Sequence, residues 1–136
     1  MIKTHKLVIY YWIPVVIFCS LIFIQSSCLS PCKVSYFPHV DKLIHIIIYA
    51  ILGMLFFRAF QVKKYKDNVK KALIISILSS TLYGISDELH QNYVSFRQGD
   101  PMDILADAAG SALGAYSYML VLNKIKYFKK LRSIRK

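Results

Sequence analysis

The stretch ALIISILSSTLYGISDELHQ, residues 72–91, decides the fold. Its first fourteen residues, Ala72 to Ile85, are apolar in the main, and the chain then reaches Asp87, Glu88 and Gln91. Fourteen residues at 1.5 Å each cover about 21 Å, less than a hydrocarbon core of roughly 30 Å. A helix that crosses a bilayer here has to continue through the carboxylates. Asp87, Glu88 and Gln91 are therefore predicted at or inside the membrane boundary. Tyr83, Asp87 and Gln91 lie four residues apart and share one helical face.

The neighbouring blocks repeat the pattern. Leu7 to Ile24, Asp41 to Phe60 and Pro101 to Leu122 are each long and apolar enough to cross. The expected architecture is all-α, with a single integral-membrane domain over residues 1–136. It is a bundle of four transmembrane helices at about 7–25, 41–60, 72–91 and 101–122, followed by a basic tail at 123–136. Composition agrees, because a 56% hydrophobic chain of 136 residues would expose large apolar patches as a soluble domain. Lys3 and Lys6 give the first block the look of a secretory signal. It exceeds a signal core, and no Ala-x-Ala-like site follows, so it reads as a retained helix with a kink expected at Pro14. Cys19 is a packed thiol inside that helix, whereas Cys28 and Cys32 in the first loop could pair in an oxidising compartment. No Cys/His spacing of the zinc type is present.

A formal charge of +11 raises nucleic-acid binding, and the distribution of that charge argues against it. Lys and Arg gather at Lys3 and Lys6, from Arg58 to Lys71 and from Lys124 to Lys136, each group abutting an apolar block. Such groups anchor cytoplasmic helix ends and attract anionic headgroups, so the bilayer is the expected partner and nucleic acid is not. The positive-inside rule then places both termini and the loop Gln61 to Lys71 in the cytoplasm. Fifteen of the eighteen Lys and Arg fall inside, leaving Lys33, Lys42 and Arg97 outside with every carboxylate but Asp67.

The polar groups at the outer end fall on matching stripes. Asp41, His45 and Tyr49 share a face of the second helix, with His45 about 6 Å deeper than Asp41. Asp100, Asp103, Asp107, Gly110 and Gly114 step by three or four along the fourth. An unpaired charge in hydrocarbon costs roughly 2.5–3.5 kcal/mol on insertion scales. The stripes should therefore face one another around a shared polar cleft at the extracytoplasmic end, with Lys42 and Arg97 as counter-ions. Gly110 and Gly114 form a small-xxx-small segment suited to close helix packing. His90 and Asp100 are most simply loop-exposed.

Several chemistries fit such a cleft. Acid–base catalysis would use Asp87 or Asp41 as base and His45 as its partner, with Lys42 and Arg97 holding a phosphate or carboxylate. A divalent metal could be held by Asp41, His45, Asp87 and Asp103. Binding without turnover is the third option. A transporter is disfavoured because polar character ends near Tyr49, Tyr83 and Asp107. No nucleophile motif is visible, and Ser26, Ser27 and Ser86 have no assured base.

The segments Asp41-Lys42-x-x-His45-x-x-x-Tyr49 and Tyr83-Gly84-x-x-Asp87-Glu88-x-x-Gln91 occur here in order. Arg97, Asp103, Asp107, Gly110 and Gly114 follow them, and with Ser26-Ser27 after the first helix the set resembles the VanZ-like membrane proteins over roughly Phe23 to Tyr118. The resemblance implies a bacterial cell-envelope protein, in a family named for a protein associated with low-level resistance to the glycopeptide teicoplanin. It also implies that Asn is usual where this chain has Asp107, so the charge there need not matter. The expected function is an envelope enzyme, a hydrolase or transferase acting at the outer leaflet on a lipid-linked substrate. The alternative is a non-catalytic binder of a glycopeptide or envelope precursor, or a small transporter component. The expected site is Asp41, Lys42, His45, Asp87, Glu88, Gln91, Arg97 and Asp103, and the sequence names no cofactor.

Overall fold

A computed structural model describes residues 2–27, 40–62, 68–93 and 100–134, with side chains described between 9 and 133. Arg97 and the possible partners Cys28 and Cys32 lie outside the described residues. The chain forms α1 (Ile2–Ser27), α2 (Val40–Val62), α3 (Val69–Gln91) and α4 (Pro101–Ile134). Each carries a window long and apolar enough to cross a membrane.

Local chemistry sets the helix ends. Asn68 accepts the Lys71 backbone N–H at 3.0 Å, so α3 starts three residues before Ala72. At the start of α4, Asp100 Oδ1 accepts the Met102 N–H at 2.9 Å, and Pro101 occupies the first helical position. Asp100 is thus a helix cap, not a loose loop residue. Pro14 lies inside α1, and the helix runs through it. The largest departure from the expected boundaries is in α4, whose 34 residues extend well past Leu122. The segment from Asn123 to Ser133 contains neither Gly nor Pro and carries four Lys with Leu131 and Arg132, so nothing in it stops a helix. At 1.5 Å per residue α4 reaches about 51 Å, and its basic end stands clear of a core of roughly 30 Å.

Small residues let α2 and α4 approach closely. A Cβ added at Gly114 would land on the Ala50 carbonyl, one at Gly110 on that of Ile46, and one at Gly53 on that of Ser111. Further along this seam, Phe57, Ala72 and Ala115 form a buried cluster shared by α2, α3 and α4. α1 packs on α2 and α3, where Ile22, Tyr49 and Leu52 are buried together. Trp12 meets Phe60 edge to face at 5.2 Å, and the Arg58 guanidinium lies 4.7 Å from the Tyr11 ring centroid. Outward-facing Ile9, Val16, Leu21, Leu78, Leu105 and Leu113 are exposed, as lipid-facing side chains are.

Contacts between Ser27 and His90 and between Lys42 and Asp103 bring the end of α1, the start of α2, the end of α3 and the start of α4 together. The helices therefore run alternately up and down. Reporter fusions at Lys66 and Ser95 should accordingly report opposite sides of the membrane. Both on one side would exclude a four-span arrangement.

Candidate functional site

Three helix ends build the polar cluster. From α2, Lys42 reaches across to α4. Its Nζ lies 2.7 Å from Asp100 Oδ2, 2.9 Å from Asp103 Oδ1 and 3.4 Å from Asp41 Oδ2. One turn deeper, His45 Nδ1 is 2.9 Å from Asp107 Oδ1. Its Nε2 is 3.9 Å from Asp103 Oδ2, an electrostatic distance and not a hydrogen bond. An ionised carboxylate only accepts, so Nδ1 carries the proton of the His45–Asp107 bond and Nε2 is the nitrogen left for chemistry.

From α3, Gln91 donates to Asp87 Oδ2 at 3.0 Å and more weakly to Glu88 Oε1 at 3.4 Å. Glu88 Oε2 accepts the Asp100 backbone N–H at 3.0 Å, tying the end of α3 to the start of α4. Burial follows depth. Asp87, Glu88, Gln91, Asp103 and Asp107 are all buried, whereas the Asp41 side chain is 60% exposed at the rim. The hydrogen bond from the Lys42 ammonium, with a second from the Met102 backbone, holds the Asp100 carboxyl below its ordinary value. The stability this pair gives is therefore present above the unfolded carboxylate range and is lost only as pH falls through the lowered value.

Seven of the eight predicted site residues lie at this end, and Arg97 falls outside the described residues. Their roles shift. Lys42 is engaged by three carboxylates, so it clamps α2 to α4 and is not a vacant anion holder. Asp41 is a rim partner of Lys42. The imidazole pairs with Asp107, which was outside the expected site, instead of Asp41 or Asp87. Gly84 makes room for this pair, since a Cβ there would meet the Asp107 carboxylate. The signal for Asp107 was in the sequence, four residues after Asp103 on the same face.

His90, expected in solvent, stacks on Phe23 at 4.7 Å and lies 3.0 Å from Ser27 Oγ. Ser27 Oγ also lies 2.7 Å from the Phe23 carbonyl, which takes its single hydrogen. His90 is then the donor to Ser27, so the pair fastens α1 to α3 and does not make a serine nucleophile. Polar character also continues below Asp107, where Ser111 donates to Ser80 at 2.7 Å and Ser76 to the Ala72 carbonyl at 2.6 Å. These serines are fully buried and satisfied by one another or by backbone, so they seal a helix seam without opening a path.

Six carboxylates, Asp41, Asp87, Glu88, Asp100, Asp103 and Asp107, thus gather at one end of the bundle. Among the described residues there they face one lysine and the imidazoles of His45 and His90. Such an excess of negative charge in a low-dielectric setting needs compensating positive charge. His45, Glu88 and Asp107 each offer a ligand atom, and these atoms lie within 4.8 Å of one another. This group differs from the metal set expected from spacing, with Glu88 and Asp107 standing where Asp41, Asp87 and Asp103 were anticipated. A separate apolar groove between α1, α2 and α3, lined by Trp12, Val16, Phe23, Phe56 and Tyr83, opens on the outside of the bundle.

An uncharacterized protein of Schizosaccharomyces pombe is 26% identical over 98 residues, covering 72% of this chain and 55% of that protein. The chain thus spans about half the length of that relative. No solved structure matches. The profile of the VanZ/LLP1 family matches residues 2–122, nearly the whole of the described bundle. With that match and four membrane-crossing helices, the chain belongs to the VanZ/LLP1 family and is a multi-pass membrane protein.

Proposed function

We propose that this protein is a cell-envelope enzyme of the bacterial membrane, a hydrolase or transferase acting at the outer leaflet on the polar headgroup of a lipid-linked substrate. Its action would lower susceptibility to glycopeptides such as teicoplanin. The observation that carries this reading is the His45–Asp107 pair, an imidazole oriented by a buried carboxylate at the mouth of a lipid-embedded bundle. Asp107 fixes the tautomer, and Nε2 takes a proton from an attacking water or hydroxyl and returns it to the departing oxygen. Asp103, 3.9 Å away, stabilises the imidazolium formed between those two transfers. The basic residues at the opposite end support an outward-facing site, and the apolar groove beside Phe23 and Tyr83 offers a place for an acyl chain.

Binding without turnover is the second reading. It is favoured by the Ser27–His90 geometry, which leaves the one described serine–histidine pair without a nucleophilic role.

Teicoplanin and vancomycin susceptibility separates the two readings. A host would express wild type, His45→Ala or His45→Gln at matched membrane abundance. An enzyme loses protection in both variants, because glutamine cannot transfer a proton. A binder keeps it in His45→Gln, which still offers hydrogen bonds. Equal protection by His45→Ala would refute any role for the pair.

A further inference from the structure

We propose that His45, Glu88 and Asp107 form a binding site for a divalent cation of the zinc or manganese class. The three side chains come from α2, α3 and α4, and one ligand atom from each lies within 4.8 Å of the others. A cation there would displace the Nδ1 proton on which the proton-transfer reading of His45 rests, so the two readings exclude each other at this imidazole.

Two buried groups point to a missing partner. Asp107 is fully buried, and among the described residues its Oδ2 has no hydrogen-bond partner although Oδ1 is held by His45. The Tyr49 hydroxyl, one turn below His45 on the same face of α2, is likewise buried without a partner, within electrostatic reach of Asp107, Asp87 and Glu88. Orphaned polar atoms of this kind in a native fold call for an ion or a water. Among the described residues the carboxylates at this end outnumber the cations, which favours a cation over a water.

The outer contacts are those of a metal site. His45 Nδ1 and Asp107 Oδ1 already meet at 2.9 Å, so a cation shared by these two residues would take the place of the proton between them. Glu88 is held through Oε2 by the Asp100 N–H, and its Oε1 has only the long 3.4 Å contact from Gln91. Asp107 is held through Oδ1 and open at Oδ2. Such fixing of ligand orientation by neighbours is what tunes metal sites. One imidazole with two carboxylates suits zinc or manganese better than magnesium or calcium, which favour oxygen alone. A bound cation would offset the charges of Glu88 and Asp107, and with three protein ligands it would keep a position open for the phosphate of an anionic headgroup.

The test uses the full chain, purified in detergent without a histidine tag and stripped with chelator. It is then titrated with Zn2+, Mn2+ or Mg2+ alone, and bound metal is measured by elemental analysis and calorimetry. Co2+ absorbance reports whether an imidazole ligates. The expected result is one equivalent of Zn2+ or Mn2+ per chain, with much weaker Mg2+. Affinity should be retained in Asp41→Asn, a rim variant, and fall at least tenfold in Glu88→Gln. The Co2+ spectrum should change in His45→Gln. Failure of the stripped wild-type chain to take up either metal, or unchanged affinity in folded Glu88→Gln, would overturn the proposal. If Glu88→Gln does not fold, the wild-type stoichiometry and the Co2+ spectrum decide. Absence of metal would leave the proton-transfer reading of His45 untouched, and loss of glycopeptide protection would leave the metal measurement untouched.

Discussion

Leucine in place of Gly114 should leave almost no correctly assembled protein. A Cβ at this position would overlap the Ala50 carbonyl, which is backbone on the facing helix and cannot swing aside as a side chain can. The relief available is separation of α2 from α4 along a seam where Gly110 and Gly53 also have no room for a Cβ. Overpacking a tight site costs typically 1–3 kcal/mol, and a clash with backbone belongs at or above about 3 kcal/mol on that scale. Against a total of about 5–15 kcal/mol, that is a large fraction of the stability of a domain. Separation would also pull Lys42 and His45 away from Asp103 and Asp107, so the site would go with the seam. The measurement is the yield of monodisperse protein in detergent and its thermal midpoint. Leu113→Ala serves as a lipid-facing control, since that side chain is 58% exposed. A Gly114→Leu variant that melts with wild type would show that α2 and α4 do not meet here.

The seam was readable in part, and the reason is instructive. Gly110 and Gly114 lie four apart in an apolar run, a pattern that local spacing reveals. Gly53 and Gly84 carry no such pattern. Gly53 matters because Ser111 faces it, and Gly84 because Asp107 does, and neither partner is near in sequence. The polar end divides the same way. Shared faces followed from helical period and from the cost of charge in lipid, and seven of the eight anticipated residues lie together at one end of the bundle. Pairing did not follow. Asp100 lies 58 residues from Lys42 and Asp107 lies 62 from His45, and periodicity says nothing about register between helices. Lys42 was expected both as a counter-ion and as an anion holder, and setting α2 and α4 side by side shows it engaged in the first role by three carboxylates. The long α4 was missed for another reason: the basic end was read for its charge, while its helical propensity went unweighed.

Substitutions at Asp107 should separate function from stability more sharply than at any other position. Asp107→Ala removes the acceptor that orients His45, so its nitrogen no longer points predictably and acid–base catalysis should fall by roughly 10²–10⁴-fold. Its effect on the fold should be slight. In the metal-free protein the lost hydrogen bond is worth about 1 kcal/mol net, and it is offset by removal of a fully buried carboxylate whose Oδ2 has no partner among the described residues. A thermal midpoint equal to or above wild type, with function gone, is the expected signature of a group kept for its chemistry. Asp107→Asn refines the point. Its amide oxygen still accepts from Nδ1, so His45 stays in place, while the charge that stabilises the imidazolium is lost. Function should lie between the other two, closer to wild type, in keeping with a family resemblance that allows Asn here. Glycopeptide susceptibility and thermal unfolding of the three proteins at matched abundance make the comparison. If alanine and asparagine perform alike, orientation of His45 is not what Asp107 supplies. If alanine instead unfolds the bundle, the His45–Asp107 pair is structural, and the acid–base reading loses its foundation.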